Sequence, residues 1–187
     1  MNHVEQLRDI VRDTPWLLRA LRVVRSANIP DAHVCAGAIR NAVWDALHGF
    51  DTPSTLKDID VAYFDAADLS EEIEFMYTLR LCELAPDLPW DVKNQAAVHL
   101  WFHEVFDDSV EPLESIAHAA STWPEPAVCV AIRLDPSDAI QVVAPLGLDD
   151  LFGMVVRRNP RRVSAANYRA RVSTKRYRER WPRVRVV

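Results

Sequence analysis

The chain is poor in cysteine, has no uninterrupted apolar run and carries no repeat, and each shortage narrows what it can be. Its three cysteines, Cys35, Cys82 and Cys129, are too few, too widely spaced and wrong in parity for a disulfide framework or a zinc knuckle. Set in apolar surroundings, they read as buried reduced thiols of a cytoplasmic protein. Charges break every apolar stretch before it reaches membrane-spanning length, so neither a transmembrane helix nor a membrane partner is expected. Residues Met1 to Asp13 are charged and amphipathic and lack the apolar centre of a secretory signal. What is present is ordinary for a globular protein: 49% apolar and 26% charged residues over 187 positions, enough to bury a real core in one domain with room for an appendage.

The net charge of −5 hides an asymmetry. Residues 157–187 hold 12 of the 22 Lys and Arg and a single acid, Glu179, a local charge of +11; the preceding 156 residues hold 10 bases against 26 acids, or −16. A basic segment of this kind either binds an anionic partner or folds back on the acidic body. Tyr168, Tyr177 and Trp181 give it apolar anchors, which favours folding back.

Strand and helix signals alternate. Leu7 to Arg25 reads as two helical pieces divided at Thr14-Pro15, with Thr14 as cap and Pro15 in the first turn. His33 to Ala36 reads as a short strand ending at Gly37, followed by a helix over Ala38 to Leu47 that Gly49 stops. A turn at Asp51 to Lys57 leads to a second strand, and Ser70-Glu71-Glu72 opens a helix running to about Leu84. Leu88 to Val92, Ala127 to Leu134 and Ile140 to Val143 read as strands, Ser115 to Ser121 and Leu148 to Val156 as helices, and Gln95 to Phe106 as helix or loop. This alternation predicts an α/β or α+β fold around one sheet.

The richest stretch is Lys57-Asp58-Ile59-Asp60-Val61-Ala62-Tyr63-Phe64-Asp65. In a strand, Asp58 and Asp60 project from one face. Two adjacent carboxylates repel, so a cation between them or a retained proton is expected; hard oxygen donors leaving room for water and phosphate suit Mg²⁺. Upstream, a strand meets a helix N-terminus at Ala36-Gly37-Ala38-Ile39-Arg40-Asn41. Small residues there let backbone N–H groups approach a phosphate at the positive end of the helix, and Arg40 could add a bidentate guanidinium contact. Phosphate cradle, carboxylate pair and cation are the parts that phosphoryl and nucleotidyl transfer require.

These residues resemble the polymerase-beta nucleotidyltransferase superfamily. Its tRNA-CCA-adding and poly(A) polymerase branch carries Gly-Gly-x-x-Arg-Asp, then Leu-x-Gly, then Asp-x-Asp, to which Ala36 to Asn41, Leu47-His48-Gly49 and Asp58-Ile59-Asp60 are similar. Arg40-Asn41, Val43-Trp44-Asp45, Asp58 to Val61 with Tyr63-Phe64-Asp65, Val92 to Gln95, Leu148 to Gly153 and Val156 to Pro160 resemble, more closely, a small bacterial nucleotidyltransferase-like family of unassigned substrate. The resemblance spans roughly residues 33–160. It implies a nucleotidyltransferase fold, a mixed β-sheet flanked by helices, with Asp58 and Asp60 as the first two metal-binding carboxylates. The third falls to Asp91 in Pro89-Trp90-Asp91-Val92, ahead of Asp65 at the far end of its strand. Two departures stand out: Ala36 replaces a glycine where a triphosphate should approach, and Asn41 replaces an aspartate, losing charge but keeping hydrogen-bonding capacity.

Blander readings exist for each residue. Asp58 and Asp60 could protect an edge strand, Gly37 could serve a plain turn, Arg40 could pair with Asp45 or Glu72, and Lys93-Asn94-Gln95 could cap a helix. His99 and His103 have zinc-ligand spacing but no third ligand. Taken together, the sequence predicts a nucleotidyltransferase-like domain over 1–156 and a basic segment over 157–187 that packs on it or binds an anion. Its expected activity is transfer of a nucleoside monophosphate from an NTP to an unidentified acceptor hydroxyl, releasing pyrophosphate. Asp58, Asp60 and Asp91 would be catalytic and hold Mg²⁺, for which Mn²⁺ could substitute; Gly37, Ala38, Arg40, Asn41 and Lys93 would bind nucleotide. RNA is an acceptor the basic segment could engage. The competing classes are a non-catalytic nucleotide- or RNA-binding module and an interaction protein of a toxin–antitoxin pair.

Overall fold

A computed structural model describes residues 2–106 and 109–187; Met1, included above in the amphipathic N-terminus, lies outside them. Two helices come first, α1 (His3–Arg12) and α2 (Pro15–Ser26). Asn2 caps α1 by accepting the Val4 N–H at 3.1 Å, and Pro15 starts α2. Thr14 is not the side-chain cap expected: its hydroxyl donates back to the Ile10 carbonyl at 2.7 Å. Strand β1 (His33–Cys35) then leads directly into α3 (Gly37–His48), which Gly49 ends in the left-handed conformation.

The remaining sheet strands are β2 (Ile59–Tyr63), β3 (Trp90–Asn94), β4 (Ala131–Leu134) and β5 (Ile140–Val143), in the spatial order β3-β2-β1-β4-β5. Within this five-stranded sheet, among the described residues, only β2 and β3 run parallel; the crossover between them is α4 (Glu71–Leu84). The sheet is therefore mixed and flanked by helices, in agreement with the sequence. Its alternation is clean. Val34, Ile59, Val61, Val92 and Ile132 face the main core with Leu17, Leu21, Ile39 and Trp44, whereas Cys35, Ala62 and Ala131 face a smaller cluster with Ile116, Trp123 and Val128.

Beyond β3 lie α5 (Val98–Phe106) and α6 (Ile116–Ala120), the latter capped by Ser115, whose hydroxyl accepts the His118 N–H at 3.0 Å. The strand expected over Ala127 to Leu134 begins with a 3-10 turn at Pro126–Val128, so only its second half pairs. The helix expected to run to Val156 stops after four residues, as α7 (Asp149–Phe152). Val155–Val156 instead forms β6, which pairs in parallel with β7 (Arg185–Val186) near the end of the chain. Between these two strands lie α8 (Ala165–Lys175) and α9 (Tyr177–Arg180). Tyr177 and Trp181 reach the main core; the Trp181 indole N–H donates to the Asp45 carboxylate at 2.7 Å.

Candidate active site

The parallel pairing of β2 and β3 sets Asp60 beside Asp91 in direct register. Parallel neighbours in register share a face, so both carboxylates leave the sheet on the side opposite Ile59 and Val61. Asp58 precedes β2 by one residue and stands close enough to Asp60 to act on it electrostatically. Burial, followed by repulsion from Asp58 and then Asp91, raises the Asp60 carboxyl from the ordinary range to about 6. Lys175 and Arg171 pull in the other direction without reversing the shift.

Gly37 opens α3 directly across from this group: a β-carbon placed there would lie 3.8 Å from Asp60 Oδ2 and 3.8 Å from an Arg40 terminal nitrogen. The backbone strain of the turn falls one residue earlier. Ala36 has φ 51° and ψ −113°, a region open to glycine and costly to any residue with a Cβ. Ala38 is fully buried in the core, so only its backbone N–H can serve a ligand.

Arg40 does not reach out to solvent and pairs with neither Asp45 nor Glu72. It is 3% exposed and lies among the rings of Trp44, Tyr177 and Trp181, 5.2 to 5.5 Å from their centroids. One terminal nitrogen donates to Asn41 Oδ1 at 2.7 Å, while Nε has no partner. Burial lowers its pKa from the ordinary arginine value. Asn41 is thereby occupied in orienting Arg40. Lys93 is also engaged, its ammonium 3.1 Å from Glu74 Oε2.

A cleft of about 190 Å³ opens over these groups, bordered by Ala36, Asp60, Asp91 and Lys93. Trp123 and Arg171 also line it; each lies far along the chain from the Asp pair, beyond the reach of a local motif. A basic segment of +11 was the only signal pointing toward Arg171. Among the described residues, no group of three or more His, Cys, Asp or Glu is gathered closely enough to hold a metal ion by itself. Asp60 and Asp91 in register, with Asp58 nearby, could share a Mg²⁺, which keeps several waters and takes few protein carboxylates alongside phosphate oxygens. The mutual repulsion that raises Asp60 is what a divalent cation would relieve.

Comparison with known proteins bears on the family and the fold. A family model described as "Nucleotidyltransferase" matches residues 22–186. A solved structure described as a CCA-adding enzyme head domain superposes with TM-score 0.82 at 26% identity, covering 98% of this chain and 95% of that one. A CCA-adding enzyme in complex with CTP shares the fold, with TM-score 0.56 at 14% identity; all of this chain aligns, spanning 43% of that protein. No curated protein sequence matches the chain.

Proposed function

Since the chain belongs to the nucleotidyltransferase family whose model spans residues 22–186, we propose that it moves a nucleoside monophosphate from an NTP to an acceptor hydroxyl and releases pyrophosphate. The observation that carries this reading is the register of Asp60 with Asp91 opposite Gly37. The backbone amides at Gly37 and Ala38 would meet phosphate at the helix N-terminus, and Arg40 would supply positive charge from behind. Bound at Asp58, Asp60 and Asp91, Mg²⁺ or Mn²⁺ would neutralise charge on the phosphates.

Asp91 borders two spaces: the cleft, and a groove of about 680 Å³ between α4 and α5. An acceptor entering from the groove would present its hydroxyl to Asp91 on the side away from Gly37. Asp91 would take the hydroxyl proton, the oxygen would bond to the α-phosphorus, and the bond from that phosphorus to the β-bridging oxygen would break, releasing pyrophosphate. The engagement of Lys93 by Glu74 favours a second reading, nucleotide binding without transfer. The basic segment would support an RNA acceptor only through cations that the fold leaves free.

Incubation with α-labelled NTPs, Mg²⁺ and a cell extract tests the main reading: label should pass to one acceptor species in the wild type and not in Asp91→Asn. Each NTP at a hundred times its dissociation constant should also stabilise the wild type by about 2.7 kcal/mol. No shift with any of the four, or one that survives Asp58→Ala, would remove the basis for transfer. Binding without labelled product, unchanged by Asp91→Asn, would favour the non-catalytic reading.

A further inference from the structure

The helix α8 sets two cations close enough to Asp60 to act on its carboxylate, Arg171 and Lys175. Arg171 borders the cleft together with Asp60 and Asp91, and its position is set from behind. Its Nε donates to Glu125 Oε1 at 2.7 Å, and Glu125, 1% exposed, also accepts the Tyr177 hydroxyl at 3.1 Å. Among the described residues the two terminal nitrogens of Arg171 form no hydrogen bond, so its fork is held in place with donors to spare. Lys175 lies four residues later and so shares the same helix face, one turn on. It is half-buried, and among the described residues its ammonium makes no hydrogen bond or ion pair.

The charges around Lys175 explain why such a cation would be kept there. Burial, then Arg171 and Arg40, work against its positive form, while Asp58 and Asp60 favour it. Arg40, closing the group from below, has a buried Nε without a partner. Three cations thus crowd one site with their donors incompletely used, which an anion of several negative charges would resolve. An NTP carries about four negative charges, and one divalent cation at the carboxylates offsets only two. The rest must be met by protein cations near the β- and γ-phosphates.

We propose that α8 is the triphosphate-binding wall of this enzyme, with Arg171 and Lys175 binding the β- and γ-phosphates of the nucleotide. The basic segment then serves the active site directly instead of an external partner. This rests on the nucleotidyltransferase reading for the identity of the ligand but not for the presence of the anion site.

Calorimetric titration of the full chain in Mg²⁺ with NTP, NMP and inorganic tripolyphosphate separates the two. Lys175→Gln is expected to weaken NTP and tripolyphosphate at least tenfold and leave NMP unchanged, with Lys175→Arg restoring most of the loss. Arg171→Lys, which keeps the charge near Glu125 but loses the fork, should weaken NTP more than NMP. Equal NTP affinity in the wild type and both Lys175→Gln and Arg171→Lys would overturn the wall and leave transferase activity untouched. Tripolyphosphate binding that Lys175→Gln abolishes, with no labelled product from any NTP, would uphold the wall and end the transferase reading. Absence of any tripolyphosphate or NTP binding by the wild type would overturn the wall outright.

Discussion

At the scale of single residues, the two small side chains at the start of α3 have opposite needs. Ala36 holds a positive φ that costs an alanine on the order of 1–3 kcal/mol, whereas Gly37 has room for a methyl group, with nothing nearer than 3.8 Å. Ala36→Gly should therefore raise stability by about 1 kcal/mol after the entropy cost of glycine is subtracted, or roughly 2–4 °C in melting temperature. Gly37→Ala should leave the melting temperature level or slightly higher but weaken NTP binding, because its methyl would stand beside Asp60 where phosphate is proposed. Calorimetric melting and titration of the two variants check both statements. Asp60 adds a pH signature. Its folded-state pKa, about 6, exceeds the unfolded value near 4, so the native state binds the extra proton and Asp60 costs stability as pH rises through this window. Relative to Asp60→Asn, the metal-free wild type should lose about 2 kcal/mol between pH 4 and pH 7. Mg²⁺ should recover stability above pH 6 and little below pH 5. A parallel pH dependence for the two proteins in urea melts would show that Asp60 is not perturbed.

At the scale of elements, the buried contacts of α3 and α9 decide whether the site exists. Trp44, Tyr177 and Trp181 surround Arg40, and Trp181 is fully buried while donating to Asp45. Trp181→Ala should cost about 3–5 kcal/mol by emptying that space, more than Trp181→Phe, and both should reduce NTP binding by loosening Arg40. Urea denaturation alongside nucleotide titration reads the two effects. The strand-to-helix turn and the Asp pair were legible because each is a local pattern: small residues before a helix, then carboxylates two apart. Asp91 was legible through an acid set in an apolar strand, and the parallel pairing places it in register with Asp60. The extent of α7 was not legible. Leu148 to Val156 carries a helical pattern, yet Val155–Val156 is drawn into β6 by Arg185–Val186, 30 residues farther on, and such a pairing leaves no mark in a local window. The enclosure of Arg40 was not legible for the same reason: nothing between residues 36 and 60 announces that Tyr177 and Trp181 will surround it.

At the scale of the molecule, most cations of the basic segment are engaged within the fold, though among the described residues only two pair with acids of the body. Of the 12 Lys and Arg in residues 157–187, Arg157, Arg171 and Arg176 pair with acids. Arg158, Arg180 and Arg183 donate to backbone carbonyls, Arg161 to the Ser121 hydroxyl, and Arg162 lies over the Phe102 ring. Among the described residues this leaves Arg169, Arg178 and Arg185 exposed without a side-chain hydrogen bond or ion pair, besides the half-buried Lys175 near Asp58 and Asp60. These numbers bound what the basic segment, while packed on the body, can contribute to contact with RNA. Each phosphate neutralised on a single strand contributes roughly −0.7 to the slope of log affinity against log salt. Three free arginines therefore allow a slope of about −2, whereas a basic segment released to bind with all its cations would give about −8. Fluorescence anisotropy of a labelled single-stranded RNA between low and moderate KCl should return the shallow value, if binding is detected at all. A slope near the steep limit would require the segment to leave the body. The same titration with Trp181→Ala, whose anchor is weakened, should then steepen the slope, whereas a basic segment already free of the body would give the same slope with or without Trp181.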